Sequence, residues 1–468
     1  MAKTVVLVVF VLQLIICSFY GQASAASPLN FLPGFNGPLP FPLETGYIGV
    51  GDVQFFYYFI ESESNPQSDP VMIWFSGGPG CSSLNGLIYE IGPITFAPVE
   101  YNGSLPTLLP NPYSWTKVAS IIFLDFPVGT GFSYATTAAA RQSDTFQAAH
   151  QAYEFVLKWL IDHQAFKSNS FYVGGDSFGG NMAPVITQVI SNGNEKGNNP
   201  QINLKGYVIG NPATFIGEGN YQFQFANGMA LISDELYESL KKNCKGEAYR
   251  AKEPNYNINP ENVKCLDDVN TFVQLTSNIQ SGMILDPSCE ELQTLKNRFT
   301  PRRFLDEKLT NLVSFNSFSP KKCREYLYDL SYYWVNDESV QEALHVQKGS
   351  IGEWERCSQD LDYIIKIDST IPYHVNLSAK GYRSLVYSGD HDMSIPFQST
   401  QAWIRSLNYS IIDDWRPWNV EGQVAGYTRT YSNKMTFATV KGAGHTAPEY
   451  KPSQCQAMIS KWFSYRPL

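Results

Sequence analysis

The stretch Phe171-Tyr172-Val173-Gly174-Gly175-Asp176-Ser177-Phe178-Gly179-Gly180 decides how the rest of the chain is read. Its aromatic and β-branched start reads as a buried strand, and Asn181 to Ile190 reads as a helix. Between them the chain turns so tightly that side chains two positions either side of Ser177 would collide, so Gly175 and Gly179 stand there. A serine on such a turn is a nucleophile elbow, its hydroxyl presented at the end of a strand. The five-residue pattern alone recurs by chance; the strand before it and the helix after it supply the specificity.

A serine hydroxyl needs a base to remove its proton, and the chain has six histidines, at 150, 163, 345, 374, 391 and 445. On a strand-elbow-helix scaffold the partners follow in the order Ser, Asp, His. His445 satisfies that order and sits in Lys441-Gly442-Ala443-Gly444-His445, directly after a strand-like run from Met435 to Val440. The acid should end an earlier strand, and Ser384 to Tyr387 leads into Ser388-Gly389-Asp390-His391-Asp392. Alternation sends both carboxylates the same way, so the residues themselves leave Asp390 and Asp392 open. His391, beside both on one loop, has poor geometry for the base. Gly77-Gly78-Pro79-Gly80, after Val71 to Phe75, is a second loop stripped of side chains. Its Gly78 N–H and that of Phe178 would hold the oxyanion of a transition state.

Further strand-like runs fall at Val53 to Ile60, Ser120 to Phe126, Tyr207 to Ile209 and Leu385 to Tyr387, with helical patterns at Thr145 to Leu160 and Pro452 to Trp462. The fold class expected is α/β: an α/β-hydrolase fold with a central mixed sheet and helices on its faces. Residues 214–335 differ in texture, with four cysteines, helical segments such as Ser233 to Lys242 and few strand-like runs. They read as a helical insertion or cap within a catalytic domain of residues 26–468. Lys296, Arg298, Arg302 and Arg303 crowd a polar segment of it, read as a solvated loop, with a processing site where the chain is nicked as the sharper alternative.

Lys3, the apolar run from Val5 to Ile16 and the small residues Ala23, Ser24 and Ala25 read as a signal peptide over residues 1–25. No later segment offers the roughly 18 apolar residues of a membrane span, so the mature protein is expected to be soluble in the secretory pathway. Sequons at Asn102, Asn376 and Asn408 suit an oxidising, glycosylating lumen. With 16% charged and 14% aromatic residues the chain must bury a large core. A net charge of -9 without a long basic run argues against nucleic acid as a partner. Beyond the leader, seven cysteines at positions 81, 244, 265, 289, 323, 357 and 455 leave one unpaired; none shows zinc spacing, so structural disulfides rather than a metal are expected.

Four motifs in order, Trp74-Phe75-Ser76-Gly77-Gly78-Pro79-Gly80-Cys81-Ser82-Ser83, the elbow, Ser388 to Asp392 and Gly442 to His445, resemble those of the serine carboxypeptidase family, and the likeness runs from about residue 30 to the end. It implies Asp392 rather than Asp390 as the acid, and Gly78 and Phe178 as the oxyanion donors. It also implies disulfides Cys81 with Cys357, Cys244 with Cys265 and Cys289 with Cys323, leaving Cys455 free.

Peptidases of that family carry Asn in the first motif and Glu before the nucleophile, together holding a peptide's C-terminal carboxylate; here Ser76 and Asp176 stand in those places. The segments 422–431 and 444–452 look instead like the plant serine carboxypeptidase-like acyltransferases, which move an acyl group from a 1-O-β-glucose ester to an alcohol or amine. That resemblance implies an enzyme of specialised metabolism working through an acyl-Ser177, without a cofactor, in the vacuole or outside the cell, as a monomer or as two disulfide-linked chains if nicked. Ser76, Asp176 and Arg356 are the candidate substrate contacts; Arg356 would lie beside the oxyanion loop if Cys357 bonds Cys81, or else form a surface salt bridge. A carboxypeptidase and an inactive binding protein on the same scaffold are the alternatives.

Overall fold

Alternate residues of Val71–Phe75 face opposite ways, and the whole strand is buried. Met72 and Trp74 pack in one core, while Val71, Ile73 and Phe75 pack in another on the far side. A period of two imposes this on a strand covered on both faces. In the computed structural model, which describes residues 27–249, 258–288 and 324–468, that strand belongs to a 12-stranded sheet. The expected leader over residues 1–25, Cys289, Cys323 and the basic residues Lys296 to Arg303 lie outside the described residues.

Across the sheet the order is Ser27–Leu29, Leu43–Val50, Val53–Ile60, Ser120–Leu124, Val71–Phe75, Phe171–Asp176, Leu204–Gly210, Arg383–Gly389, Met435–Val440, Gln423–Tyr431 and Ile411–Val420, with Tyr134–Ala135 pairing off Val53–Ile60. The middle run, from Ser120–Leu124 to Met435–Val440, is parallel. Both flanks are antiparallel. Helices Thr145–Asp162, Ser177–Glu195 and Pro452–Phe463 connect or close it. This is the α/β-hydrolase fold. The helix after the elbow begins on Ser177 itself rather than at Asn181. The hairpin Ile411–Val420 with Gln423–Tyr431 had no clear sequence pattern: its outer strand, Ile411–Val420, is at the sheet edge and mostly exposed, and only part of its inner strand is buried.

Residues Tyr221–Gly228, Asp234–Asn243 and Val263–Thr276 form helices around a separate small core of Phe223, Phe225, Leu240, Val269 and Phe272, stapled by Cys244–Cys265. Met393, from the loop after Arg383–Gly389, joins this core and ties the insertion to the main sheet. Among the described residues no helix is long and apolar enough to cross a membrane. In an open parallel sheet, ligands bind beyond the carboxyl ends of the strands. The loops carrying Gly78, Ser177, Asp392 and His445 all leave such ends.

Candidate active site

Ser177 has φ 51, a left-handed conformation that a non-glycine residue holds only when its surroundings force it. The force is contact. A Cβ on Gly179 would lie 1.9 Å from the Phe75 carbonyl oxygen, and one on Gly175 would lie 2.6 Å from the Gly179 carbonyl carbon. On the other side, a Cβ on Gly77 would lie 2.7 Å from the Ser177 Cβ, so the glycine loop presses its backbone against the serine. Gly78, at φ 113, lines the same cavity as Ser177 and Phe178. Phe178 sits in the first turn of Ser177–Glu195, where helix N–H groups have no intrahelical partner and the macrodipole favours negative charge.

Asp392, not Asp390, meets His445: the Nδ1 to Oδ2 distance is 2.7 Å. The same oxygen accepts from Asn211 Nδ2 at 2.7 Å, while Oδ1 accepts from the backbone N–H groups of Ser394 at 2.8 Å and Ile395 at 3.2 Å. Asp392 is fully buried. Asp390 instead bonds His391 Nδ1 at 2.6 Å and accepts from the Gly442 N–H at 2.7 Å, stitching the two loops together. Burial works against a charged His445, but the Asp392 charge and hydrogen bond, with the charges of Asp176 and Glu218, more than offset it, so the imidazole pKa stands above its ordinary 6.5.

Sequence reading missed the supports of this pair. Asn211, buried at φ 38 just past Leu204–Gly210, also accepts from the Gly389 N–H, and Gly210-Asn211-Pro212 is the one local hint of a special turn. From the insertion, the Ser281 carbonyl accepts from the N–H groups of Met393 and Ser394 at 2.8 and 3.0 Å, and the Gly282 carbonyl from that of His445 at 2.6 Å. The insertion thus braces both the Asp and the His loops.

Ser177 and His445 open into a cavity of about 950 Å³. One wall holds Ser76, Glu90 and Asp176, at 6%, 4% and 3% exposure. The Ser76 hydroxyl, Glu90 Oε2 and Asp176 Oδ1 have no hydrogen-bond partner. Burial raises the Asp176 pKa to about 6, with the Glu449 charge adding and the His445 charge subtracting. Burial, then the charges of Asp176 and Glu449, push Glu90 well above the usual carboxylate range despite Arg356. Glu90, at the end of the turn Gly86–Glu90, carried no sequence signal.

Arg356 lines the cavity with its guanidinium 4.3 Å over the Tyr328 ring. Its carbonyl accepts from the Ser82 N–H at 2.9 Å, and Cys357 beside it is bonded to Cys81, which places it next to the glycine loop. Phe215, Ile216, Ile365 and Ile367 add apolar side chains to the lining, beside Glu218 and Asp368. A smaller cavity of about 290 Å³ between Arg405, Trp415 and Arg429 contains none of these residues. Cys455 is free and buried, and Asn102, Asn376 and Asn408 are exposed.

An elbow serine, a histidine held by a buried aspartate and a glycine loop around one cavity define a serine-type α/β hydrolase. The chain matches the serine carboxypeptidase family over residues 33–465. It is 52% identical to serine carboxypeptidase-like 9 of Arabidopsis thaliana over 463 residues, covering 98% of this chain and 99% of that one. It is 51% identical to serine carboxypeptidase-like 7 of the same plant over 472 residues, covering 100% of each. Among solved structures it superposes on Kex1(delta)p, a prohormone-processing carboxypeptidase from Saccharomyces cerevisiae, with a TM-score of 0.68 at 18% identity, covering 91% of each chain. The chain belongs to the serine carboxypeptidase family.

Proposed function

We propose that this protein is an acyltransferase that takes an acyl group from a 1-O-β-glucose ester onto Ser177 and passes it to an alcohol or amine. In this reading His445 takes the Ser177 proton as the hydroxyl attacks the ester carbonyl, while Asp392 steadies the imidazolium and the N–H groups of Gly78 and Phe178 hold the oxyanion. Collapse expels the glucose C1 oxygen, which takes the proton back from His445. The acceptor then surrenders its proton to His445, attacks the acyl-serine, and the second collapse returns the proton to Ser177. Only protons and one acyl group move, so the scheme needs no cofactor.

The observation that carries this reading is the wall of unpartnered Ser76, Glu90 and Asp176 atoms. Buried polar groups call for partners, and a sugar ring offers several hydroxyls at once. Ser76 and Asp176 are each shorter than the Asn and Glu with which the family's peptidases hold a carboxylate. Water competes for the acyl-serine at about 55 M, but a positioned acceptor can reach effective molarities of roughly 10⁵–10⁸ M, so acceptor binding decides the outcome. Delivery through the secretory pathway to the vacuole or the cell exterior belongs to the same proposal, supported by Cys81–Cys357, Cys244–Cys265 and the exposed sequons.

One feature favours a carboxypeptidase instead: with their pKa values raised, Glu90 and Asp176 are neutral in acid and could donate to a peptide carboxylate. Incubation with acyl-glucoses and mixed alcohol and amine acceptors, read by mass spectrometry beside a blocked dipeptide at acidic pH, separates the two. Transfer products lost in Ser177→Ala are expected. Brisk release of the dipeptide's C-terminal residue with no transfer from any glucose ester would sink the proposal.

A further inference from the structure

Glu449 lies in the short helix Ala447–Tyr450 that follows His445, with its side chain 6% exposed. Its carboxylate accepts from Thr446 Oγ1 at 2.7 Å, from Tyr328 Oη at 2.9 and 3.0 Å, and from Arg324 Nη1 at 3.4 Å. Arg324 lies 4.4 Å over the Tyr450 ring and bonds Asp286 at 3.2 Å, so it grips the His445 loop from the insertion side. Tyr328 faces the other way as well, its ring lying under Arg356, which is joined to the glycine loop through Ser82 and the Cys81–Cys357 bond. One carboxylate therefore ties together two loops that come from opposite ends of the chain.

Burying a charge is an expensive way to stabilise a fold, and apolar groups of similar volume often serve folding as well or better. What Glu449 adds is geometry. It does not line the cavity; beyond the charge it adds at Glu90 and Asp176, it acts through the groups it holds. We propose that Glu449 is a positioning residue: by holding Thr446, Tyr328 and Arg324 at once, it fixes His445, and the glycine loop to which Arg356 is joined, relative to Ser177. This deepens the proposed function, resting on Ser177 and His445 as the reacting pair but not on the identity of the acyl donor.

The test uses the full chain and a fluorophosphonate probe that labels Ser177. The maximal labelling rate and the half-saturating probe concentration are measured, beside the melting temperature, for wild type, Glu449→Gln, Tyr328→Phe, Thr446→Val and the pair Glu449→Gln with Tyr328→Phe. Misplacement by about 1 Å can slow a reaction about 10²-fold, so Glu449→Gln should lower the maximal rate about 10- to 100-fold with half-saturation unchanged. The pair should lose no more than Glu449→Gln alone, as members of one network do. Folded Glu449→Gln and Tyr328→Phe proteins that keep the wild-type maximal rate, or lose affinity for the probe instead, would overturn the proposal. If Glu449→Gln fails to fold, Tyr328→Phe and Thr446→Val, each deleting one hydroxyl's bonds, decide by the same criterion. Failure of the parent reading looks different: wild type unlabelled, or Ser177→Ala labelled equally.

Discussion

Replacing Asp392 by Asn changes one atom, yet no placement of the amide satisfies the site. All four partners of Asp392 are donors: His445 Nδ1 and Asn211 Nδ2 on one oxygen, the N–H groups of Ser394 and Ile395 on the other. An amide has one oxygen and one NH₂. With the NH₂ toward His445, the imidazole must take the tautomer that carries its proton on Nε2, leaving no lone pair to accept from Ser177. With the NH₂ toward Ser394 and Ile395, two half-buried N–H groups lose bonds to a charged acceptor, at up to about 1.5–3 kcal/mol each, partly offset by removal of a buried charge. Where the orienting acid of a serine-protease triad has been replaced by its amide, the rate falls about 10⁴-fold, or about 5.5 kcal/mol in the barrier. A loss of about that size is expected for Asp392→Asn in fluorophosphonate labelling of Ser177. Asp390→Asn keeps an acceptor oxygen for the Gly442 N–H and should cost less than about tenfold. An equal or larger loss at Asp390 would refute the assignment.

Three further outcomes follow from contacts already described. Gly179→Ala, whose Cβ would meet the Phe75 carbonyl at 1.9 Å, should fail to accumulate as folded protein or melt far below wild type; a melting temperature unchanged within error would contradict the elbow geometry. Removing Cys81–Cys357 by replacing both cysteines with Ala should destabilise the protein by about 2–5 kcal/mol and slow Ser177 labelling, because the glycine loop and Arg356 lose their tie; denaturant unfolding and labelling rates read the two effects separately. Asp176 keeps its proton to about pH 6 in the folded state but releases it near its ordinary 3.8 when unfolded, so its contribution to stability falls as pH rises between those values and is level above. Asp176→Asn should therefore gain melting temperature relative to wild type across that window, and a difference that stays flat or reverses would speak against a buried, raised carboxyl.

What was legible in the sequence was whatever local sterics had to announce. Gly175 and Gly179 are demanded by contacts within the elbow and with the strand beside it, and His445 follows a strand by way of glycines, so both could be read from short windows. The choice between Asp390 and Asp392 could not, because it is made by Asn211, 181 residues away, and by backbone carbonyls at Ser281 and Gly282. Family likeness supplied that choice where residue physics had left it open. The hairpin of Ile411–Val420 and Gln423–Tyr431 escaped for another reason: ion pairs such as Asp413 with Arg416 and Asp414 with Arg429 break up its outer strand, and its few core residues, such as Trp418, Ala425 and Tyr431, fall without a strand-like alternation. Glu90 is the most consequential omission. A glutamate in a short turn looks like solvated surface, and only the packed fold turns it into a buried acid beside Asp176. The parts that make an acyl-serine are therefore written in turns and strand ends. In the proposed function, the parts that select what leaves and what attacks are written in burial, since an unpaired carboxyl gains its meaning from the water removed around it.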